Sequence, residues 1–400
     1  MSVGVGAAAT VVRGPVTWYA YLLMGLFTYL LNIQGNIVPF LKAELDLSYA
    51  AVSLHSAAIA CGMIVVGLVG RHVVAWTGRR AALALGAMGS AVGAVALCFA
   101  PAAWASIASC AAIGVFGAVI PSIVPALLAE RHREQRDVAF AEAGAVCYAF
   151  AITAALAAGV CIAFGFGWRS AVLLGAMLTF AVLLAFRRTA IGTPSPGAPE
   201  EQSQRLPGAY WACWLLMGIG VAIEFGTLVW APEFLGRVVG LEPATAALGT
   251  AVFSLAMLIG RTAISALVRL VATVRLYFTA LLLILVGFAL YWHAGDTLSA
   301  MTALFLLGLG VAPLYPLTAG FAIAAAGTQA TAGSSRLMLA VGLSILIMPV
   351  LLGSLADAFG LRGAHLLLPL LIASAFLTLG AARILQRREP AATRRAPACG

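Results

Sequence analysis

The chain has 400 residues, of which 63% are hydrophobic and only 9% charged, and its mean hydropathy is +1.04. A water-soluble domain carries roughly 25% charged residues to coat its surface, so this composition excludes a soluble enzyme, a disordered chain, a collagen-like fibre and a disulfide scaffold. The net charge of +9, from 23 Lys and Arg against 14 Asp and Glu, has the sign that attracts nucleic acid; its distribution along the chain decides against that reading.

A membrane-crossing helix needs about 20 mainly apolar residues. From the N-terminus such stretches fall at 17–41, 48–69, 81–99, 103–128, 138–163, 168–186, 209–235, 243–267, 275–293, 297–325, 334–355 and 364–385. Runs such as AYLLMGLFTYLL and LYFTALLLILVGFAL lack the period-two alternation of barrel strands. The predicted fold class is therefore an all-α membrane protein of twelve transmembrane helices. The opening segment MSVGVGAAATVVRGPVT has no short apolar core with a cleavage site, so the first span is expected to act as its own insertion signal. Six cysteines (Cys61, Cys98, Cys110, Cys147, Cys161 and Cys213) lie inside apolar runs without metal-ligand spacing and read as small packing hydrophobes.

Between spans six and seven the texture changes to RRTAIGTPSPGAPEEQSQRLPG, which offers no apolar face and reads as a solvated linker. The chain thus divides into a six-helix bundle at 1–186, a linker at 187–208, a second six-helix bundle at 209–386 and a tail at 387–400 expected to be disordered. With the N-terminus inside, the inner loops, linker and tail hold seventeen basic residues, among them Arg79, Arg80, Arg131, Arg133, Arg136, Arg187 and Arg188. The outer loops hold four: Lys42, Arg169, Arg237 and Arg362. This bias places both termini in the cytoplasm by the positive-inside rule, and the surplus charge needs no nucleic-acid partner.

The halves align at an offset of 193–194. LLMG at 22–25 returns at 215–218, Pro39 meets Pro232, Met63 falls opposite Met257, and FGWRSAVLL (166–174) meets FGLRGAHLL (359–367). A six-span unit begins and ends on one side, so the repeats are expected to be parallel, about an axis along the membrane normal.

Six plus six spans, a cytoplasmic linker and parallel halves resemble the major facilitator superfamily over nearly the whole chain. The family signature between spans two and three, G-x-x-x-D-R-x-G-R-R/K, meets RHVVAWTGRR. Gly78, Arg79 and Arg80 match, whereas Arg71 stands at the first glycine and Ala75 at the aspartate. That departure puts the usual charge relay at this gate in doubt, although Arg79 stays a gating candidate. A second similar stretch, GSLADAFG (353–360), follows span eleven on the outer side and reads as a helix terminus. The resemblance implies alternating access, with two bundles rocking about a central site near the bilayer midplane. Gly86, Gly89 and Gly93 in span three suit close helix contacts. Pro121 and Pro125 in span four, with Pro313 and Pro316 in span ten, serve either as bending points for a gate or as fixed kinks.

Ionisable groups within spans are costly and mark pathways or partners. Glu224, mid-way along span seven with no other charge within eight residues, is a candidate proton-coupling and substrate-binding carboxyl; the other reading is a protonated side chain bonded to a neighbouring helix. Asn32 and Asn36 in span one lie four apart and share a helix face, while Gln34 points elsewhere. The repeat sets Glu224 opposite Leu31, beside Asn32, and the resemblance implies that spans one and seven line the cavity. Asn32, Gln34, Asn36 and Glu224 are therefore substrate-site candidates, against simple inter-helix hydrogen bonding. Glu142 in span five and Arg261 in span eight are expected to form a gating ion pair; Glu142 could instead cap its helix near Arg133 or Arg136. Glu142 and His55 are further proton-site candidates, His55 alternatively being a satisfied packing residue. Arg336 either binds an anionic substrate or snorkels to the interface. Tyr148 and Tyr315, with Tyr29 and Trp230, are candidate cavity aromatics or packing residues.

No Walker loop, phosphate cradle or metal cluster is present in the sequence, which argues against an enzyme, an ATP-driven pump or any cofactor. The expected function is secondary active transport of a small organic solute across a bacterial inner membrane, as proton-coupled uptake (symport) of a nutrient such as an organic acid, sugar or vitamin, by a monomer. Family drug antiporters carry a Gly-Pro-rich signature in span five, and AEAGAVCYAFAITAALAAG contains no proline, which favours uptake over the alternative, proton-driven efflux of drugs or hydrophobic compounds.

Overall fold

The computed structural model describes residues 13–192 and 206–388. Among them twelve helices are long and apolar enough to cross a membrane and there is no strand. They are α1 (Pro15–Glu44), α2 (Tyr49–Thr77), α3 (Arg79–Cys98), α4 (Ala103–Gly117 with Val119–His132), α5 (Arg136–Ala163) and α6 (Gly167–Ala185), then α7 (Gly208–Phe234), α8 (Pro243–Leu267), α9 (Thr273–His293), α10 (Thr297–Val311 with Leu314–Ala326), α11 (Ala330–Ala364) and α12 (Leu367–Arg388). Most of the linker (193–205) and of the tail (389–400) lies outside the described residues, as do residues 1–12. In lipid every backbone polar group needs an internal partner, so helices are the solution open to continuous apolar runs.

Helix ends follow local chemistry. Pro15 and Pro243 open α1 and α8, where a missing N–H leaves nothing unsatisfied. Ser48 accepts the Ala51 N–H at 3.1 Å to start α2, and Asp296 with Ser299 forms a capping box before α10. The breaks in α4 and α10 fall at Ala118 and at Ala312–Pro313. Pro121 cannot bond the carbonyl of Gly117, nor Pro316 that of Ala312, so each helix parts one turn before its proline. Helix α11 runs further than its expected end at 355, until Gly360 interrupts it at φ 74°. Gly167, its repeat partner before α6, has φ 74° as well. Both turns need a residue without a Cβ.

The repeat is also written in the packing. Helix α1 lies on α5, and α4 on α2 and α3; correspondingly α7 lies on α11, and α10 on α8 and α9. A Cβ on Gly114 would stand 2.3 Å from the Ile59 carbonyl oxygen, and one on Gly308 2.5 Å from that of Phe253. Both members of the two contacts are 194 residues apart, so the same small-residue approach joins α4 to α2 and α10 to α8. Arg169 donates to the Cys98 carbonyl at 2.8 Å and Arg362 to that of Trp292 at 3.0 Å, equivalent ties onto the ends of α3 and α9.

Between the halves, α1 packs on α7, α2 on α11 and α5 on α8. One apolar core crosses this seam, with Ile37 and Leu41 of one half and Trp230 and Phe234 of the other among its members. Towards the face that carries residues 13, 192 and 206 (the terminal face) the core divides, one part around Tyr19, Leu83 and Leu127, the other around Tyr210, Met217 and Leu337. The segments Val119–His132 and Leu314–Ala326, which complete α4 and α10 there, do not pack closely on the other half.

Candidate functional site

The divided core leaves a cavity of about 440 Å³ between the halves. Helix α1 contributes Met24, Thr28, Leu31 and Asn32; α4 contributes Val124, Pro125 and Leu128; α5 contributes Phe140, Ala143, Gly144, Cys147, Tyr148 and Ala151. The other half supplies Glu224, Phe225 and Leu228 from α7, Ser254, Met257 and Arg261 from α8, and Tyr315 from α10. Its end away from the termini is shut where α1 meets α7: a Cβ on Gly35 would lie 2.2 Å from the Leu228 carbonyl oxygen. Beyond that point Asp357 of α11 accepts the backbone N–H groups of Tyr49 and Ala50 at 2.8 Å each, Tyr49 packs edge-on against Trp230, and the Lys42 ammonium sits 4.3 Å from the Tyr49 ring centre. Glu233, almost fully buried, faces Arg237 at 3.6 Å. The cavity is therefore closed at the opposite face, and its walls part towards the terminal face.

Polarity inside is concentrated on a few groups. The Arg261 guanidinium carbon lies 4.8 Å from the Tyr148 ring centre and 5.6 Å from that of Tyr315, so aromatic faces from both halves bracket one cation. Its Nε is buried without a hydrogen-bond acceptor. Glu224 faces the same cavity within electrostatic reach of Arg261, and no ion pair joins the two. Asn32 donates to its own helix at the Thr28 carbonyl, 2.9 Å away, which leaves its amide oxygen on the wall.

Of the residues singled out in the sequence, Asn32, Tyr148, Glu224, Tyr315 and Arg261 share this wall. The expected pair of Glu142 with Arg261 does not form. Glu142 accepts from Arg13 at 2.5 and 3.1 Å and from the Tyr21 hydroxyl at 3.1 Å, because it turns towards α1 of its own half while Arg261 turns into the cavity. Asn36 lies one turn, about 6 Å, beyond Asn32 and so past the closure. It accepts from Thr250 at 3.1 Å and lines a separate cavity of about 320 Å³ with Glu233 and Arg237. Gln34 is buried inside the first half, where the Cys110 thiol donates to it at 3.7 Å.

His55 is fully buried between α2 and α4, one ring nitrogen 2.8 Å from the Val52 carbonyl and the other 2.8 Å from the Ser106 hydroxyl. Arg79 makes a two-point contact with Glu130 at 2.5 and 2.7 Å, tying α3 to the end of α4. Arg336 is off the cavity wall, and its carbonyl accepts from the Trp214 indole at 2.9 Å. Tyr29 and Trp230 are buried packing residues that donate to the Ala171 and Pro349 carbonyls. Asp357 and Glu233 were missed by the sequence reading. Glu233 falls inside span seven, where its charge was the available signal; Asp357 lies past the expected end of span eleven at 355, in a stretch that reads as a helix terminus.

A multi-pass membrane protein with two repeated sets of six helices, parted at one face around a polar-studded cavity, has the form of a transporter rather than an enzyme. The chain belongs to the major facilitator superfamily, whose family model matches residues 17–335. No curated protein matches its sequence significantly. In fold it is similar to a bacterial homologue of the human lysosomal transporter Spinster in an inward-facing, occupied conformation, with a TM-score of 0.77 and 13% identity, covering 98% of this chain and 100% of that one. It is also similar to the nucleoside transporter NupG, with a TM-score of 0.75 and 11% identity over 92% and 99% of the two chains. The peptide transporter POT in complex with sulfate gives a TM-score of 0.75 and 15% identity over 94% and 95%.

Proposed function

We propose that the protein takes up a small organic solute across a bacterial inner membrane by proton-coupled alternating access, with the terminal face in the cytoplasm. The observation that carries this reading is the placement of Glu224. It is a lone carboxyl on the wall of a cavity between the halves, reached from one face and closed from the other. A carboxyl held there is exposed in turn to each side as the halves rock, which is what proton coupling needs. The seventeen inner against four outer basic residues orient the chain, so the conformation described is inward-open. The expected roles shift with the geometry. Glu224 serves as the coupling site and Asn32, Tyr148 and Tyr315 as solute contacts, while Arg79 and Glu142 hold the first half together at its cytoplasmic end.

Accumulation of labelled organic acids, sugars and vitamins in expressing cells tests the reading, with wild type and Glu224→Gln each run with and without an uncoupler. Uptake lost with either treatment supports it; uptake indifferent to both overturns it. The apolar share of the wall, with Met24, Leu31, Val124, Phe225 and Met257, keeps efflux of hydrophobic compounds as the second reading. Dye extrusion in place of uptake would select it.

A further inference from the structure

We propose that the transported solute is a small organic monoanion with an apolar body, and that its carboxylate docks on Arg261. The inference rests on the transporter reading above and specifies its substrate class. Among the described residues, Arg261 is the one basic side chain on the cavity wall. It is held between two tyrosine rings and, among the described residues, has no carboxylate partner and keeps a buried Nε–H without an acceptor. A buried donor left unmatched is costly, and a planar carboxylate is the shape and charge that completes a guanidinium fork. Rings from α5 of one half and α10 of the other hold the fork in place, so both bundles sense whether it is occupied.

The charge on the wall sets the valence of the solute. Among the described residues Glu224 is the one carboxyl there, and it faces Arg261 from α7 without reaching it; the other groups facing it are Tyr148 on α5 and Tyr315 on α10. With Glu224 ionised the wall is neutral and Arg261 is already offset. With Glu224 protonated, Arg261 stands alone, and one negative charge restores neutrality. A dianion would bring a second charge to an apolar wall with nothing to match it, and a cation would meet Arg261. The proton rests on the Glu224 carboxyl and the carboxylate on Arg261, so the two enter as a neutral pair. The remaining wall is mainly apolar, and 440 Å³ lies within the ordinary range of small-molecule pockets, roughly 300–1,000 Å³. It suits an aromatic or short aliphatic acid.

The full-length protein purified in detergent is titrated with benzoate, hexanoate and lactate, each against its amide, and with succinate as a dianion, following the unfolding temperature. At least one monocarboxylate is expected to raise it saturably, the amides and succinate not. Arg261→Gln is expected to weaken that binding by about 30-fold or more. Arg261→Lys, which keeps the charge but not the fork, retains part of it and shows that the site tolerates substitution. Amides that bind as well as the acids, binding unchanged in Arg261→Gln, or no response of wild type to any panel acid each overturn the proposal. Flux in proteoliposomes separates the two readings. Arg261-dependent carboxylate binding with flux indifferent to a proton gradient defeats proton coupling and leaves the docking site. Proton-driven flux of a neutral solute does the reverse.

Discussion

Asp357 near the end of α11 caps α2 of the other half, its two carboxylate oxygens accepting the N–H groups of Tyr49 and Ala50 at 2.8 Å. It does from another bundle what an N-cap residue does within its own helix. Gly353 lets the two helices approach, since a Cβ there would lie 2.6 Å from the Tyr49 carbonyl oxygen. On the alternating-access reading, opening at that face would break this contact, so it should favour the closed arrangement there.

Asp357→Ala removes this cap. Loss of an N-cap costs about 1 kcal/mol, or roughly fivefold in a two-state population, in favour of opening at that face. A cysteine introduced by Ala246→Cys, at a buried position on the wall of the smaller cavity there, should then react several times faster with a membrane-impermeant maleimide than in the parent. An unchanged rate removes Asp357 from the gate.

The pairing of Glu142 decides between two charge swaps. Glu142→Arg with Arg13→Glu should restore whatever transport Glu142→Arg loses, because these two side chains touch. Glu142→Arg with Arg261→Glu should not. Rescue by the second combination and not by the first would reinstate an ion pair across the halves.

Among the described residues, His55 hydrogen-bonds only within α2 and to α4. Ser106→Ala leaves one of its ring nitrogens without its side-chain partner in a buried site, which costs about 1–3 kcal/mol. Thermal unfolding in detergent should shift downward while the pH profile of transport keeps its shape. A displaced pH profile at unchanged stability would make His55 a proton site.

The repeated glycine contacts give a paired test. Gly114→Val and Gly308→Val each force a side chain towards a carbonyl oxygen and should destabilise by about 1–3 kcal/mol. Gly380→Ala in α12, where a Cβ meets nothing within 4 Å, should be neutral or stabilising by up to about 1 kcal/mol. Apparent unfolding temperatures of the three variants check the contrast; tolerance at both valine sites would mean the helices are not held at that spacing.

The sequence by itself determined that this is a twelve-helix membrane protein built from a repeat, because a bilayer forces each apolar run to satisfy its own backbone. A run of 20 residues carries that instruction locally. Its prolines marked where α4 and α10 break, since the carbonyl left without a donor lies four residues upstream. The depth of Glu224 within its span was legible for the same reason: depth is a count along one helix. What only the tertiary structure decided was which side chains meet. Arg261 and Glu142 sit at similar depth in neighbouring spans, yet one turns between Tyr148 and Tyr315 and the other towards Arg13 and Tyr21. Asn36, one turn from Asn32 on the same face, falls beyond the contact of Gly35 with Leu228 and leaves the cavity. Periodicity gives a residue's azimuth and height on its own helix; its neighbours come from helices fifty or more residues away, whose rotation and closure are set by the packing of the whole bundle.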